Sequence, residues 1–163
     1  MAEACHLACP AAVCPATVDR MSSPLAMTRA EREAFLAATR VGVVSLAEPG
    51  RGPLTVPVWY RYAPGGTVRF ITGTNSRKGK LLRPGARIGF CVQSETPPYQ
   101  YVSLEGPVTI GEPDPADGEM AVRYLGEQMG QAYLAMMAAD PEPTILVELT
   151  PERWFSVDYT KLG

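Results

Sequence analysis

Five short runs of alternating or β-branched residues follow one another closely: Val41–Leu46, Leu54–Tyr62, Thr67–Thr72, Arg87–Gln93 and Tyr99–Gly111. Between them stand only turns rich in Gly and Pro and one short helical stretch. Connections this brief permit antiparallel pairing, because a parallel pair needs a crossover of a dozen or more residues. Two further runs, Thr144–Thr150 and Trp154–Asp158, close the chain after a helical insertion. With 163 residues there is room for one well-buried domain. The reading is mainly β with helices, an antiparallel sheet of six or so strands curled into a barrel.

The helical stretches carry local start signals. Thr28-Arg29-Ala30-Glu31 is a capping box, in which the Thr hydroxyl takes one orphan amide and the Glu returns to the cap. It opens a helix over Arg29 to Ala38. Asp114 caps a second helix, with Pro115 at its first position and Asp117 in its first turn. After Gly126 the helical pattern resumes over Gln128–Ala139. Its stripe of Met129, Ala132, Tyr133, Met136 and Met137 predicts core or a contact between two copies rather than a cofactor box.

The second strand alternates, placing Leu54, Val56, Val58 and Tyr60 on one face and Thr55, Pro57, Trp59 and Arg61 on the other. Pro57 has no N–H for a ladder, so it marks an edge, a bulge or a place where something else approaches the backbone. Gly106-Pro107 in the fifth strand predicts a bulge or bend of the kind barrels need at corners. Cys91 reads as an inert core thiol.

The functional signal lies in Phe70–Leu82, FITGTNSRKGKLL. A strand end runs into Thr72, Gly73, Thr74, Asn75 and Ser76, then Arg77, Lys78 and Lys80. Small polar side chains beside a bare glycine let backbone N–H groups approach an anion closely. Lys and Arg add charge and directed donors, and a helix starting at Lys78 would aim its first amides the same way. This predicts a phosphate cradle, against the blander reading of a solvated polar turn. Its surroundings favour the cradle. From Pro49 to Ser94 there is no Asp or Glu, yet Arg51, Arg61, Arg69, Arg77, Lys78, Lys80, Arg83 and Arg87 all fall there, out of 15 basic residues in the chain.

Several classes are excluded or disfavoured. The net charge of −2 gives no overall attraction for nucleic acid or an anionic membrane. No run of about 18 apolar residues is present, so no transmembrane helix is expected. The N-terminus lacks the basic-then-apolar pattern of a secretory signal, which makes the expected setting cytoplasmic. Residues 1–26 show no sustained period and are interrupted by Pro10, Pro15 and Pro24, so they read as a disordered leader before a domain at 27–163. Met21 and Met27 are candidates for the start of translation. Cys5, His6, Cys9 and Cys14 match no paired metal-ligand spacing, and no metal site is assigned.

Taken together, Val41–Leu46, Val56-Pro57-Val58-Trp59-Tyr60, Phe70-x-Thr72, Ser76-Arg77-Lys78 with Leu81-Leu82, Arg87-Ile88-Gly89-Phe90 and Tyr101-Val102-x-Leu104-Glu105-Gly106 resemble the split β-barrel flavin-binding proteins. That family is typified by pyridoxamine 5′-phosphate oxidase and includes actinobacterial oxidoreductases that use the deazaflavin F420. Pro151-Glu-Arg-Trp154 and Asp158-Tyr-x-Lys161 resemble the end of the actinobacterial branch. The resemblance covers about residues 28–161. It implies a six-stranded antiparallel split β-barrel, homodimeric, with cofactors in grooves between subunits. It places the cofactor phosphate on Thr72, Ser76, Arg77 and Lys78, with Lys80 a weaker candidate, and the cofactor ring beside Val56, Pro57, Val58 and Trp59.

The chain departs from pyridoxamine 5′-phosphate oxidases proper, which end in an Arg- and His-bearing segment that grips substrate. This one ends DYTKLG and has no His beyond His6, which speaks against vitamin B6 chemistry, His-ligated haem and any His general base. Hydride transfer survives, because the cofactor carries that chemistry. The expected function is an F420-dependent oxidoreductase passing hydride to an unsaturated or conjugated small molecule. FMN is the alternative cofactor, and a non-catalytic flavin- or tetrapyrrole-binding dimer the alternative role, with Trp59 or a second copy's Trp154 covering the ring. No catalytic residue is assigned; Tyr60, Tyr62, Tyr99 and Tyr101 are the candidates to donate a proton or stack. The substrate is set by loops such as Glu48–Gly52 and Glu95–Pro98.

Overall fold

A computed structural model describes residues 23–162. The leader's Cys5, His6, Cys9 and Cys14 lie outside them. Ser23–Ala26 form a turn against the C-terminus, where the Leu25 carbonyl accepts from the Asp158 N–H at 2.8 Å and the Ala26 carbonyl accepts from Lys161 Nζ at 2.9 Å.

Helix α1 (Arg29–Ala37) opens on the expected capping box, with Thr28 Oγ1 accepting from the Glu31 N–H and Glu31 accepting from the Thr28 N–H. The strands follow as β1 (Gly42–Leu46), β2 (Leu54–Val58) and β3 (Val68–Gly73), then the one-turn helix α2 (Arg77–Leu81), β4 (Arg87–Gln93) and β5 (Gln100–Gly111). Helices α3 (Pro115–Leu125) and α4 (Glu127–Ala139) form the insertion, and β6 (Thr144–Leu149) and β7 (Arg153–Asp158) end the sheet. All pairings between named strands are antiparallel. Among the described residues no helix is long and apolar enough to cross a membrane.

The strand order is β2-β1-β4-β5-β6-β3, with β7 added along the first half of β5. Alternation places Val44, Val68, Phe70, Val92, Val102, Val108, Val147 and Leu149 in the interior, each fully buried. β5 is long because it changes partners, pairing β7 over Gln100–Glu105 and β6 over Val108–Gly111. The bend expected at Gly106-Pro107 falls at that exchange. The link from β6 to β7 crosses there, and a Cβ on Gly106 would lie 1.8 Å from the Thr150 carbonyl oxygen. Glycine is needed at 106 because backbone occupies the place of a side chain.

The two ends of the order, β2 and β3, meet only at Arg61 and Arg69, which exchange a pair of N–H···O bonds of 2.8 Å. Continuing that antiparallel register would set Val58 opposite Thr72, Pro57 opposite Gly73 and Val56 opposite Thr74. No ladder forms there. The barrel is therefore closed at one end of this seam and split along the rest, with Pro57, which has no N–H to offer, at the split. This is a six-stranded antiparallel split β-barrel with a seventh strand on its flank.

Candidate functional site

The two candidate segments lie on the two strands that end the order: Val56, Pro57, Val58 and Trp59 on and just after β2, Thr72 and the turn into α2 on and just after β3. The turn is built locally. Ser76 caps α2, its Oγ accepting from the Gly79 N–H at 3.0 Å and lying 2.7 Å from the Gly73 carbonyl oxygen, to which it donates. Thr72 Oγ1 sits 3.1 Å from the same Ser76 oxygen and is buried, at 4% exposure. Both hydroxyls thus shape the turn from within. A Cβ on Gly79 would lie 2.3 Å from the Gly73 carbonyl oxygen, so only glycine lets α2 fold back onto the strand end. On the far side Thr74 gives its N–H and its hydroxyl to the Pro143 carbonyl at 2.9 and 3.1 Å.

The cations divide sharply. Arg77 reaches over to Glu48 in the β1–β2 turn at 2.6 Å, linking α2 to the start of β2. Lys78 is half-buried and Lys80 exposed, and neither makes an ion pair among the described residues. The same holds for Arg51 and Arg83. The other arginines of the acid-free window are neutralised by carboxylates from distant parts of the chain. Arg87 pairs with Glu152 and Glu105, Arg61 with Asp117, and Arg69 with Asp114, Asp117 and Glu148. A window without acids in sequence is therefore only half a cationic surface in space.

At the closed end of the seam, α3 supplies those acids. Asp114 and Asp117 form a reciprocal capping box. The Asp117 side chain is completely buried, 2.9 Å from an Arg69 guanidinium nitrogen and 3.4 Å from one of Arg61. The bond from Arg69 holds the Asp114 carboxyl below its usual range, with its backbone contacts at the cap adding to the effect.

On β2 the faces are as the alternation predicts: Thr55 and Pro57 exposed, Val58 and Tyr60 buried, Leu54 and Val56 packed against the core. Trp59 is half-buried. Tyr124 of α3 stacks on it at 5.3 Å and 13°, and Tyr133 of α4 meets it edge-on at 5.5 Å. The Tyr124 hydroxyl donates to the Arg40 carbonyl at 2.6 Å and accepts from the Tyr60 N–H at 3.1 Å, which fixes α3 on this end of the barrel. These partners of Trp59 carry no distinguishing mark in the sequence beyond being aromatic on a helix.

The tyrosines separate by burial. Tyr60 is 1% exposed, burial drives its pKa far up, and its hydroxyl is used by the Leu36 carbonyl at 2.7 Å. Tyr62 is also buried, its pKa raised by desolvation, its oxygen accepting from the Gly65 N–H. Both are core groups with no path to a ligand. Tyr99 is exposed and Tyr101 half-exposed, the latter 5.8 Å from Phe155 on β7. Trp154 lies under the Arg32 guanidinium at 4.7 Å. Cys91 is half-buried on the outer sheet face rather than in the core, and burial raises its pKa. The methionine stripe is not core either, with Met129 and Met136 about two-thirds exposed.

The family model described as pyridoxamine 5′-phosphate oxidase matches residues 28–158. The chain belongs to this family of split barrels, which groups flavin- and F420-binding proteins. Solved structures with the same fold include a conserved hypothetical protein, Rv2991, from Mycobacterium tuberculosis, with 24% identity, a TM-score of 0.68, and coverage of 86% of this chain and 91% of that one. A structure titled F420 reductase is 22% identical, with a TM-score of 0.58 over 76% of this chain and 94% of the other. An FAD-binding protein from Mesorhizobium loti is 19% identical, with a TM-score of 0.56 over 80% and 94%. No curated protein matches the sequence.

Proposed function

We propose that the open end of the β2–β3 seam binds the deazaflavin F420 and that the chain is an oxidoreductase passing hydride to an unsaturated or conjugated small molecule. The observation that carries this reading is the split itself. A barrel that could have zipped Val56–Val58 onto Thr72–Thr74 leaves that edge unpaired, beside two lysines that have no carboxylate partner among the described residues.

The residues fit a phosphate-bearing tricyclic cofactor. Lys78 and Lys80 supply the charge that a phosphate needs and a neutral ligand would not. Gly73 and Gly79 keep the turn free of side chains, and Ser76 with Thr72 hold its shape. Arg77 contributes by fixing α2 to the β1–β2 turn and secondarily by its charge. The five residues from Leu54 to Val58, four steps apart end to end, span about 13 Å, so a ligand anchored at α2 would extend along β2 toward Trp59, whose indole is already held by Tyr124. Bound there, the reduced cofactor supplies the hydride. The protein would orient the ring against Pro57–Trp59 and leave proton delivery to solvent, since Tyr60 and Tyr62 are sealed in the core.

The exposed aromatic residues Tyr99 just before β5, Phe155 on β7 and Tyr159 just after it are where a second copy seats, giving the homodimer. Light scattering of the purified protein reads twice the chain mass on this account. The cofactor reading is tested by titrating the protein with F420 and with FMN and following fluorescence. Micromolar F420 binding that weakens in Lys78→Ala supports it. FMN binding with no F420 binding replaces the cofactor, and binding of neither ends the reading.

A further inference from the structure

One strand across from Pro57, on the outer face of the sheet, lies a cavity of about 700 Å³ that the seam does not use. Its floor is Val43 and Cys91, cross-strand partners on β1 and β4. Its walls include Tyr124, Gln93 and Thr39, and at one side stands Arg40. Val43 is also the direct partner of Pro57 on β2, so the cavity begins about 5 Å from the strand assigned to the cofactor ring. Tyr124 joins the two places, lining the cavity while its ring stacks on Trp59.

Arg40 is the unusual member. Its guanidinium carbon lies 4.3 Å from the centre of the Phe35 ring, a packing that restrains the side chain. Its Nε is buried and has no hydrogen-bond partner among the described residues, and it makes no ion pair with a described carboxylate. A guanidinium that lines a cavity bordered by a valine and a thiol, and whose nitrogens donate to no described residue, suits a flat apolar body that ends in a planar anion. A carboxylate matches that planar fork. A phosphate matches it less well, because Glu95 also lines the cavity and repels the more highly charged group.

We propose that this cavity is the acceptor pocket, and that it takes a flat, conjugated carboxylate whose anionic end Arg40 receives. Carboxylate binding stands on Arg40 and the cavity alone; the acceptor role rests on the cofactor reading above. The probes are trans-cinnamate, its methyl ester and inorganic phosphate, each added to the full chain and followed by ligand-detected NMR. Cinnamate binds at least about tenfold more tightly than the ester, as one charged hydrogen-bonded contact is worth. Arg40→Gln brings cinnamate down to the level of the ester. Equal binding of acid and ester, or unchanged acid binding in Arg40→Gln, overturns the proposal, as does phosphate displacing cinnamate at equal concentration.

Should Arg40→Gln fold poorly through loss of its stacking on Phe35, Glu95→Gln serves as the second variant. It removes the opposing charge and tightens cinnamate without moving the ester; no difference between acid and ester in that variant also overturns the proposal. The two readings fail separately. Cinnamate bound through Arg40 to a protein that takes up neither F420 nor FMN overturns the acceptor role and the proposed function. Cofactor bound with no cinnamate bound overturns the acceptor pocket alone.

Discussion

The two ends of the β2–β3 seam draw their cations from the same acid-free stretch of sequence and end up with opposite characters. At the closed end Arg61 and Arg69 are bridged through the backbone, and α3 brings in the buried Asp117 and the neighbouring Asp114 to neutralise them. At the open end α2 carries no acid in its first turn, and only Arg77 finds a carboxylate, Glu48. Both helices are capped, but one carries its own anions to the barrel and the other does not. The lesson is that positive charge becomes a binding feature only where the fold withholds the compensating carboxylates. The closed end carries paired arginines, and the open end keeps Lys78 and Lys80 without a carboxylate partner among the described residues.

The largest effect expected from this contrast is on stability. Asp117→Ala leaves Arg61 without a carboxylate, takes one of three from Arg69 and dismantles a capping box, and should lower the unfolding free energy by about 3 kcal/mol in urea denaturation. A loss under about 1 kcal/mol would mean that the closed end is not held by charge. Gly79→Ala pushes a methyl group into the Gly73 carbonyl; a cost of about 2 kcal/mol is expected, with weakened cofactor binding, because the turn itself must move.

Lys78→Ala reverses the pattern, weakening cofactor binding at least about tenfold while the urea midpoint stays within error of the parent. A shifted midpoint with unchanged affinity would place Lys78 with the structural cations instead. Arg77→Ala removes the pair of a half-exposed arginine with a largely covered Glu48, so stability should fall by about 1 kcal/mol.

The smallest effect is a pH dependence. Arg69 holds the Asp114 carboxyl below its usual 3.8. A depressed folded value means that stability is present above the unfolded pKa and is lost as pH falls through the folded one. The urea midpoint of the parent should therefore hold until about pH 4 and then decline. Arg69→Met should start from a lower midpoint and show a shallower acid decline, and an identical acid slope in both proteins would remove Asp114 from the account.

Much of the architecture was legible because its causes are local. The capping boxes at Thr28–Glu31 and Asp114–Asp117 involve residues three apart, and the structure forms both. Strand identities followed from alternation, and Arg87–Gln93 is the strand the pattern predicts, residue for residue. Leu54–Tyr62 reads as one strand, but the regular ladder stops at Val58 and resumes only as the single bridge at Arg61. That interruption is the split, and nothing local announces it besides Pro57. Cys91 is not in the core, and of the two readings of the methionine stripe, core or a contact between two copies, the exposure of Met129 and Met136 removes the first, for a related reason. Apolar character shows that a side chain prefers to be covered, and says nothing about whether this chain or another does the covering.

By itself the sequence determined the succession of strands, the helix starts and the small-residue turn into Arg77-Lys78, because hydrogen bonds and alternation over a few residues suffice for each. Only the tertiary structure decided which cations are spent on the chain's own acids, as Arg77 on Glu48 and Arg69 on Asp117, and which side chain steadies Trp59. Those outcomes join residues dozens of positions apart. Their partners are chosen by how the barrel curls, and no short-range rule carries that information.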